Sequence, residues 1–155
     1  MAGSFAGVSR VIAAAIMATG LSGIGAGAVS AADAEAGATV FKKCVACHSL
    51  KAGKKKVGPS LHGLFGRTAG TFVDGKGKAF KHSQDLAEAG QKGLVWNAET
   101  FAGYIADPKP FIGKVLGKDK GKTKMAFPGL KNPTDVANLV AFIEPYAKGE
   151  KEGDK

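Results

Sequence analysis

Apolar residues recur at helical spacing in three stretches of this chain. Val136, Leu139, Val140, Ile143 and Ala147 fall at i, i+3, i+4, i+7 and i+11, the stripe of an amphipathic helix. Asn132 stands ahead of it as an N-cap, Pro133 at the first helical position and Asp135 where a carboxylate complements the helix dipole. A second helix is predicted to open at Asn97-Ala98-Glu99-Thr100, to bury Phe101, Tyr104 and Ile105, and to stop before Pro108. A third runs from Asp33, its N-cap, to about Cys47, with Val40, Phe41 and Cys44 on one side. Ser83 to Ala89 carries a weaker helical signal. The stretches from Lys51 to Lys81 and from Gly113 to Lys124 are rich in glycine and lysine and keep neither helical nor strand period. The prediction is an all-α chain of three main helices, short ones and long loops. Loops of this length are uncommon in a compact domain unless they wrap something that supplies the missing core.

The first third of the chain adds a different signal. Arg10 is the one charged residue before Asp33, and Val11 to Ala32 is uncharged and ends in small residues, Ala28-Val29-Ser30-Ala31-Ala32. A basic start, an apolar middle and a small-residue end make a secretory leader, cleaved here after Ala32. An uncleaved membrane anchor is the competing reading, since about 20 apolar residues can span a bilayer. The run is mostly alanine and glycine, however, and only residues 33–43 separate it from Cys44, a short tether for a shuttle. The 155 residues therefore divide into a leader over 1–32, one domain over 33–147 and a tail over 148–155 expected to be disordered. The net charge is +9, nearly all from lysine, and the leader removes only Arg10. Export and the lack of aromatics interleaved with the basic residues argue against nucleic acid, which leaves acidic proteins as the expected partners.

The chemistry is concentrated in Cys44-Val45-Ala46-Cys47-His48. Cys44 and Cys47 are the only cysteines in the chain. A structural zinc site needs four ligands, and no second pair is present. A redox dithiol is expected at the start of a helix beside a βαβ pattern, whereas a helix-like segment precedes this pair. A disulfide across two residues would close a small, strained ring. C-x-x-C-H instead suits covalent haem c attachment: two thiols for the two vinyl groups of one porphyrin, and His48 to coordinate the iron.

The ligand opposite His48 follows by elimination. Histidine and methionine are the usual second donors, and cysteine is already used. Met1 and Met17 leave with the leader, so Met125, within Lys122-Thr123-Lys124-Met125-Ala126-Phe127-Pro128, is the remaining methionine. His62 is the rival. It stands only 14 residues beyond His48, and reaching the other haem face would need a tight loop.

Taken together, these residues resemble the class I cytochromes c, in their long bacterial cytochrome c2-like form, over Glu35 to Ala147. Gly37 and Phe41 match the family's first-helix crossing positions, and Leu139 and Phe142 match their partners in the last helix. Gly58, Pro59, Leu61, His62, Gly63 and Gly66-Arg67 match the loop beneath the haem. Trp96, Tyr104, Pro108, Thr123, Lys124, Met125 and Phe127 match the rest of the haem pocket. The resemblance implies a class I fold wrapped around one covalent haem. It implies that the Pro59 carbonyl accepts from His48, that Trp96 and Arg67 hold a haem propionate, and that Tyr104 and Thr123 surround the Met125 sulfur. His82 stands where the family usually has a propionate-binding tyrosine, a departure that leaves one propionate contact open. The stretch from Pro108 to Met125 is longer than in mitochondrial forms.

The expected function is a monomeric periplasmic one-electron carrier and not an enzyme. It would shuttle between a cytochrome bc-type complex and a terminal oxidase or photosynthetic reaction centre. Lysines around the haem edge, among them Lys42, Lys43, Lys54, Lys55, Lys56 and Lys124, would dock on acidic partners. The alternative is a haem enzyme or gas sensor with a displaceable sixth ligand, for which no distal acid–base pair accompanies Met125.

Overall fold

The longest helix lies where the apolar stripe put it. The computed structural model describes residues 32–153, so the leader read over 1–32 lies outside them apart from Ala32. Five helices follow one another: α1 (Ala34–Phe41), α2 (Gln84–Gln91), α3 (Ala98–Ala106), α4 (Pro108–Leu116) and α5 (Pro133–Ala147). Among the described residues there is no strand, only isolated antiparallel bridges at Thr68–Val95 and Val73–Ala79. The all-α expectation holds.

In α5 the side chain of Asn132 accepts from the Thr134 amide, and Leu139, Ile143 and Ala147 turn inward as the spacing required. In α1 the Asp33 carboxylate accepts from the amides of Glu35 and Ala36. Regular helix ends at Phe41, short of the expected Cys47. The chain goes on in hydrogen-bonded turns, with Val45 N–H donating to Phe41 and His48 N–H to Cys44. The attachment motif is thus an extension of the first helix.

α1 and α5 cross at Gly37. A Cβ there would run into the Asn138 carbonyl, so only glycine lets the two backbones approach this closely. Asn138 also accepts from the Asp33 amide at 2.8 Å, fixing the start of α1 on α5. Leu139 is fully buried at the crossing. Phe142 is only half-buried and lies between Phe41 and Tyr146, with ring centroids at 5.4 and 5.5 Å.

Two features depart from expectation. Pro108 does end α3, but it also begins α4: Asp107 is the last-turn cap of one helix and the N-cap residue of the next. A proline at the first helical position loses no hydrogen bond, because that amide has no intrahelical partner. α4 is held on α2 by Lys118, which reaches Asp85 at 3.8 Å and Glu88 at 3.5 Å. The second departure corrects the reading of 148–155 as disordered. Residues 148–153 fold back on the domain, with Glu150 and Lys151 amides donating to Pro145 and the Gly153 amide to Leu50. Glu152 accepts from the Ala52 amide at 3.0 Å, and the Lys151 ammonium sits 5.2 Å from the Tyr146 ring centroid. The hydrophilic composition concealed an ordered tail because its contacts are hydrogen bonds, the Lys148–Glu144 ion pair and one cation–π pair, which leave no apolar pattern. Asp154 and Lys155 lie outside the described residues.

Candidate functional site

One mostly apolar cavity of about 300 Å³ takes in Cys44, Cys47, His48, Trp96, Tyr104 and Met125. Pro59, Arg67 and Thr123 also reach it, so every site residue read from the sequence faces the same space. His62 does not line it. Its ring lies instead toward the tail, where a Cβ on Gly149 would stand 3.6 Å from His62 Cε1.

The floor is built from local geometry. His48 Nδ1 donates to the Pro59 carbonyl at 2.8 Å. A carbonyl can only accept, so the proton is on Nδ1 and the Nε2 lone pair is left for a metal. Burial holds the imidazole below its ordinary pKa; the Pro59 bond opposes this and Lys56 reinforces it. Neutral imidazole is the form that ligates. Gly58 packs on the ring so closely that a Cβ would lie 2.5 Å from Cε1, and it clamps the ring plane from behind. Further along the loop, the Ser60 hydroxyl donates toward the carbonyls of Lys51 and Ser49. The last turn of α5 completes the floor: the carbonyls of Tyr146, which also accepts from the Gly149 amide, and of Ala147 accept from the amides of Gly63 and Phe65.

Cys44 and Cys47 are unlinked thiols, the first half-buried and the second exposed. Burial pushes the Cys44 thiol above its ordinary pKa, with Lys43 pulling the other way and Cys47 adding to the rise. Among the described residues no three His, Cys, Asp or Glu side chains are arranged to hold a metal ion.

The opposite wall is an extended strap. From Gly121 to Gly129 alternate residues turn inward, which brings Thr123, Met125 and Phe127 to one face while Lys122, Lys124, Ala126 and Pro128 are exposed. Tyr104 of α3 and Thr123 share a hydrogen bond of 2.9 Å between their hydroxyls, and Thr123 Oγ1 accepts from the Met125 amide at 3.1 Å. The strap is tied further by the Ser83 hydroxyl to the Lys122 carbonyl, by the Lys122 amide to Asp85, and by Leu130 to Ile105. Gly129 has φ +90° and passes so close to Ala106 that a Cβ would strike its carbonyl.

The rim differs in part from expectation. Trp96 is buried and packs edge-on to Tyr104 at 5.1 Å. Arg67 is committed to backbone: Nη1 and Nη2 donate to the Ser60 carbonyl, Nη2 also to His62, and Nε more weakly to Gly63 at 3.4 Å. Of the lysines named for docking, Lys43 and Lys124 line the cavity. Lys43 also pairs with Asp135 at 3.6 Å, and Lys124 and Lys56 cap the carbonyls of Lys81 and Val45. The sequence reading did not single out Leu64, Phe72, Leu86, Phe101 or Ile105 as cavity wall. Phe72 lies in the glycine- and lysine-rich loop, which carries no period that would have marked it, and its ring lies 4.9 Å beneath the Arg67 guanidinium.

Comparison with known proteins gives one consistent answer. Residues 34–145 match the family model described as Cytochrome c. A cytochrome c2 of Cereibacter sphaeroides is 41% identical over 123 residues, covering 74% of this chain and 95% of that protein. The crystal structure of cytochrome c2 from Rhodobacter sphaeroides superposes with a TM-score of 0.64 at 37% identity, covering 73% of this chain and 94% of the other. The ferricytochrome c2 of Rhodopseudomonas palustris gives 0.63 at 40% identity, covering 74% and 98%.

Proposed function

The chain belongs to the cytochrome c family of electron carriers, which hold one covalent haem c, and from that premise we propose a His48/Met125-ligated carrier of the periplasm. The observation that carries this reading is that Cys44, Cys47, His48 and Met125 border one apolar cavity, with the His48 Nε2 lone pair free. Thioethers at Cys44 and Cys47 would fix the haem, which when bound supplies one-electron exchange between ferric and ferrous iron. His48, oriented by Pro59, and Met125, oriented through Thr123 and Tyr104, would hold its iron. Two protein donors held by packed loops leave little to rearrange when the charge changes, and thioether sulfur favours the reduced form. The apolar walls favour the less charged ferrous site. Trp96 and the one Arg67 N–H left over from backbone bonding would face a propionate.

The leader 1–32 would deliver the chain to the periplasm, where it acts as a monomer. No helix among the described residues is long and apolar enough to cross a membrane. Lysines at the cavity rim would dock on acidic faces of a cytochrome bc-type complex and of a terminal oxidase or reaction centre.

Protein purified from a periplasmic extract tests the whole reading. Intact mass should equal the chain from Asp33 onward plus one haem, and the colour should stay with polypeptide after acid–acetone extraction. A redox titration should give a single one-electron wave. Haem extracted into the organic phase, or a chain retaining Met1, would overturn it.

A further inference from the structure

His82 is a half-buried titratable group that the proposed mechanism leaves unused. It precedes α2, lines the cavity between Phe80 and Ser83, and packs edge-on to Phe80 at 4.8 Å. Its Nε2 is shut off from solvent and has no hydrogen-bond partner within the protein. A buried imidazole nitrogen left bare forfeits its hydration with nothing in return unless something pairs with it. The surrounding charge says what that partner is. The charged groups that act on His82 are the cations Arg67 and Lys124. Burial first, then Arg67 and Lys124, pull the imidazole down to about 4, and burial pulls Arg67 down to about 10. Two cationic groups and a neutral imidazole around one cavity wall make a receptor for an anion.

Arg67 cannot fill that role alone. A guanidinium has five N–H donors, and the bonds to Ser60, His62 and Gly63 leave one of them for anything in the cavity. We propose that His82 Nε2–H is the principal donor to a carboxylate of the bound haem, and that Arg67 acts chiefly by holding the 60–67 loop while its charge stabilises that carboxylate. His82 is thus a positioning residue that sets how much of the carboxylate's negative charge reaches the iron. The inference rests on the haem reading above and assigns a partner within it.

The test uses the haem-bound protein and two variants. In the ferrous, diamagnetic form, ¹⁵N-histidine NMR should find two slowly exchanging imidazole N–H groups at neutral pH, that of His48 bonded to Pro59 and a second that His82→Phe removes. His82→Phe should keep its covalent haem and visible spectrum yet titrate at a lower potential, because an undamped carboxylate favours ferric iron. At a fixed solution potential its ferric-to-ferrous ratio should rise several-fold. His82→Tyr, which restores an O–H donor, should recover most of the shift. Equal shifts in the Phe and Tyr variants would mean that the ring only packs, and would overturn the assignment. So would an unshifted Phe variant, or the absence from the parent of a second protected imidazole N–H beside that of His48, a measurement that needs no variant to fold. A parent lacking thioether-linked haem would overturn the cofactor reading and this inference together.

Discussion

The two walls of the cavity are built by different means. The floor beside His48 is local: His48 and Pro59 are 11 residues apart, as are the Ser60 hydroxyl and the Ser49 carbonyl. Its far edge alone, where Gly63 and Phe65 donate to the last turn of α5, reaches across the chain. The strap carrying Met125 has no regular structure and is held from a distance. Its ties span 19 residues to Tyr104, 37 to Asp85 and 39 to Ser83. Local bonds survive as long as their loop does, whereas the strap depends on α2 and α3 being docked. The floor is therefore the rigid side of the site and the strap the side that opens first.

The largest expected effect cuts the strap's claim on the metal. Met125→Ala should abolish the weak far-red charge-transfer band of the ferric protein. It should also lower the potential by about 0.1–0.3 V, part of the roughly 0.8 V that axial ligands span. An unchanged band and potential would return the role to another donor and erase the functional contrast between the walls.

Phe142→Ala tests whether the floor depends on the α1–α5 crossing. Because the ring is half-buried, the loss should be about 2–3 kcal/mol in denaturant unfolding, below the 3–5 kcal/mol of a fully buried phenylalanine. A loss under roughly 1 kcal/mol would show that the crossing carries little of the stability.

Tyr104→Phe sharpens the comparison by removing one tie and leaving the ring. It should cost about 1 kcal/mol globally. Its main signature should be faster binding of an exogenous ligand such as imidazole or carbon monoxide, which must displace the strap. Unaltered ligand-binding rates would mean that the Tyr104–Thr123 bond does not hold it.

The smallest effects belong to the charged rim. Lys55→Glu or Lys124→Glu should slow association with an acidic redox partner several-fold at low ionic strength. Lys148→Glu, in a lysine that pairs with Glu144 at 2.7 Å away from the cavity, should change little. The difference should fade as the Debye length shrinks from about 30 Å at 0.01 M to about 10 Å at 0.1 M salt. Equal rates for Lys124→Glu and Lys148→Glu would assign the positive charge to solubility.

The same division explains what could be read from sequence. The floor announces itself because its residues are neighbours: C-x-x-C-H and the following Gly-Pro are contiguous chemistry. α5 was legible because cap, proline and stripe agree. Met125 was reachable only by counting methionines, since nothing in its flanks foretells the ties to Ser83 and Asp85. α4 was hidden because proline signals both the end of one helix and the start of another, and only tertiary packing on α2 shows both at once. The tail was hidden for a related reason: its partners, Leu50, Ala52 and Pro145, offer backbone groups, and backbone has no sequence. His82 was visible as an oddity, but its bare Nε2 needed coordinates.

The crossing at Gly37 has a kinetic consequence. Bringing Gly37 against Asn138 closes a ring of about 100 residues, at an entropic cost near 4 kcal/mol plus a constant. α1, with eight residues, is too short to persist alone, so it cannot serve as a preformed landing site. The slow step in refolding should then be a meeting of chain ends, with α1 forming as it docks on α5. Phe142→Ala should accordingly slow refolding as well as weaken the folded protein.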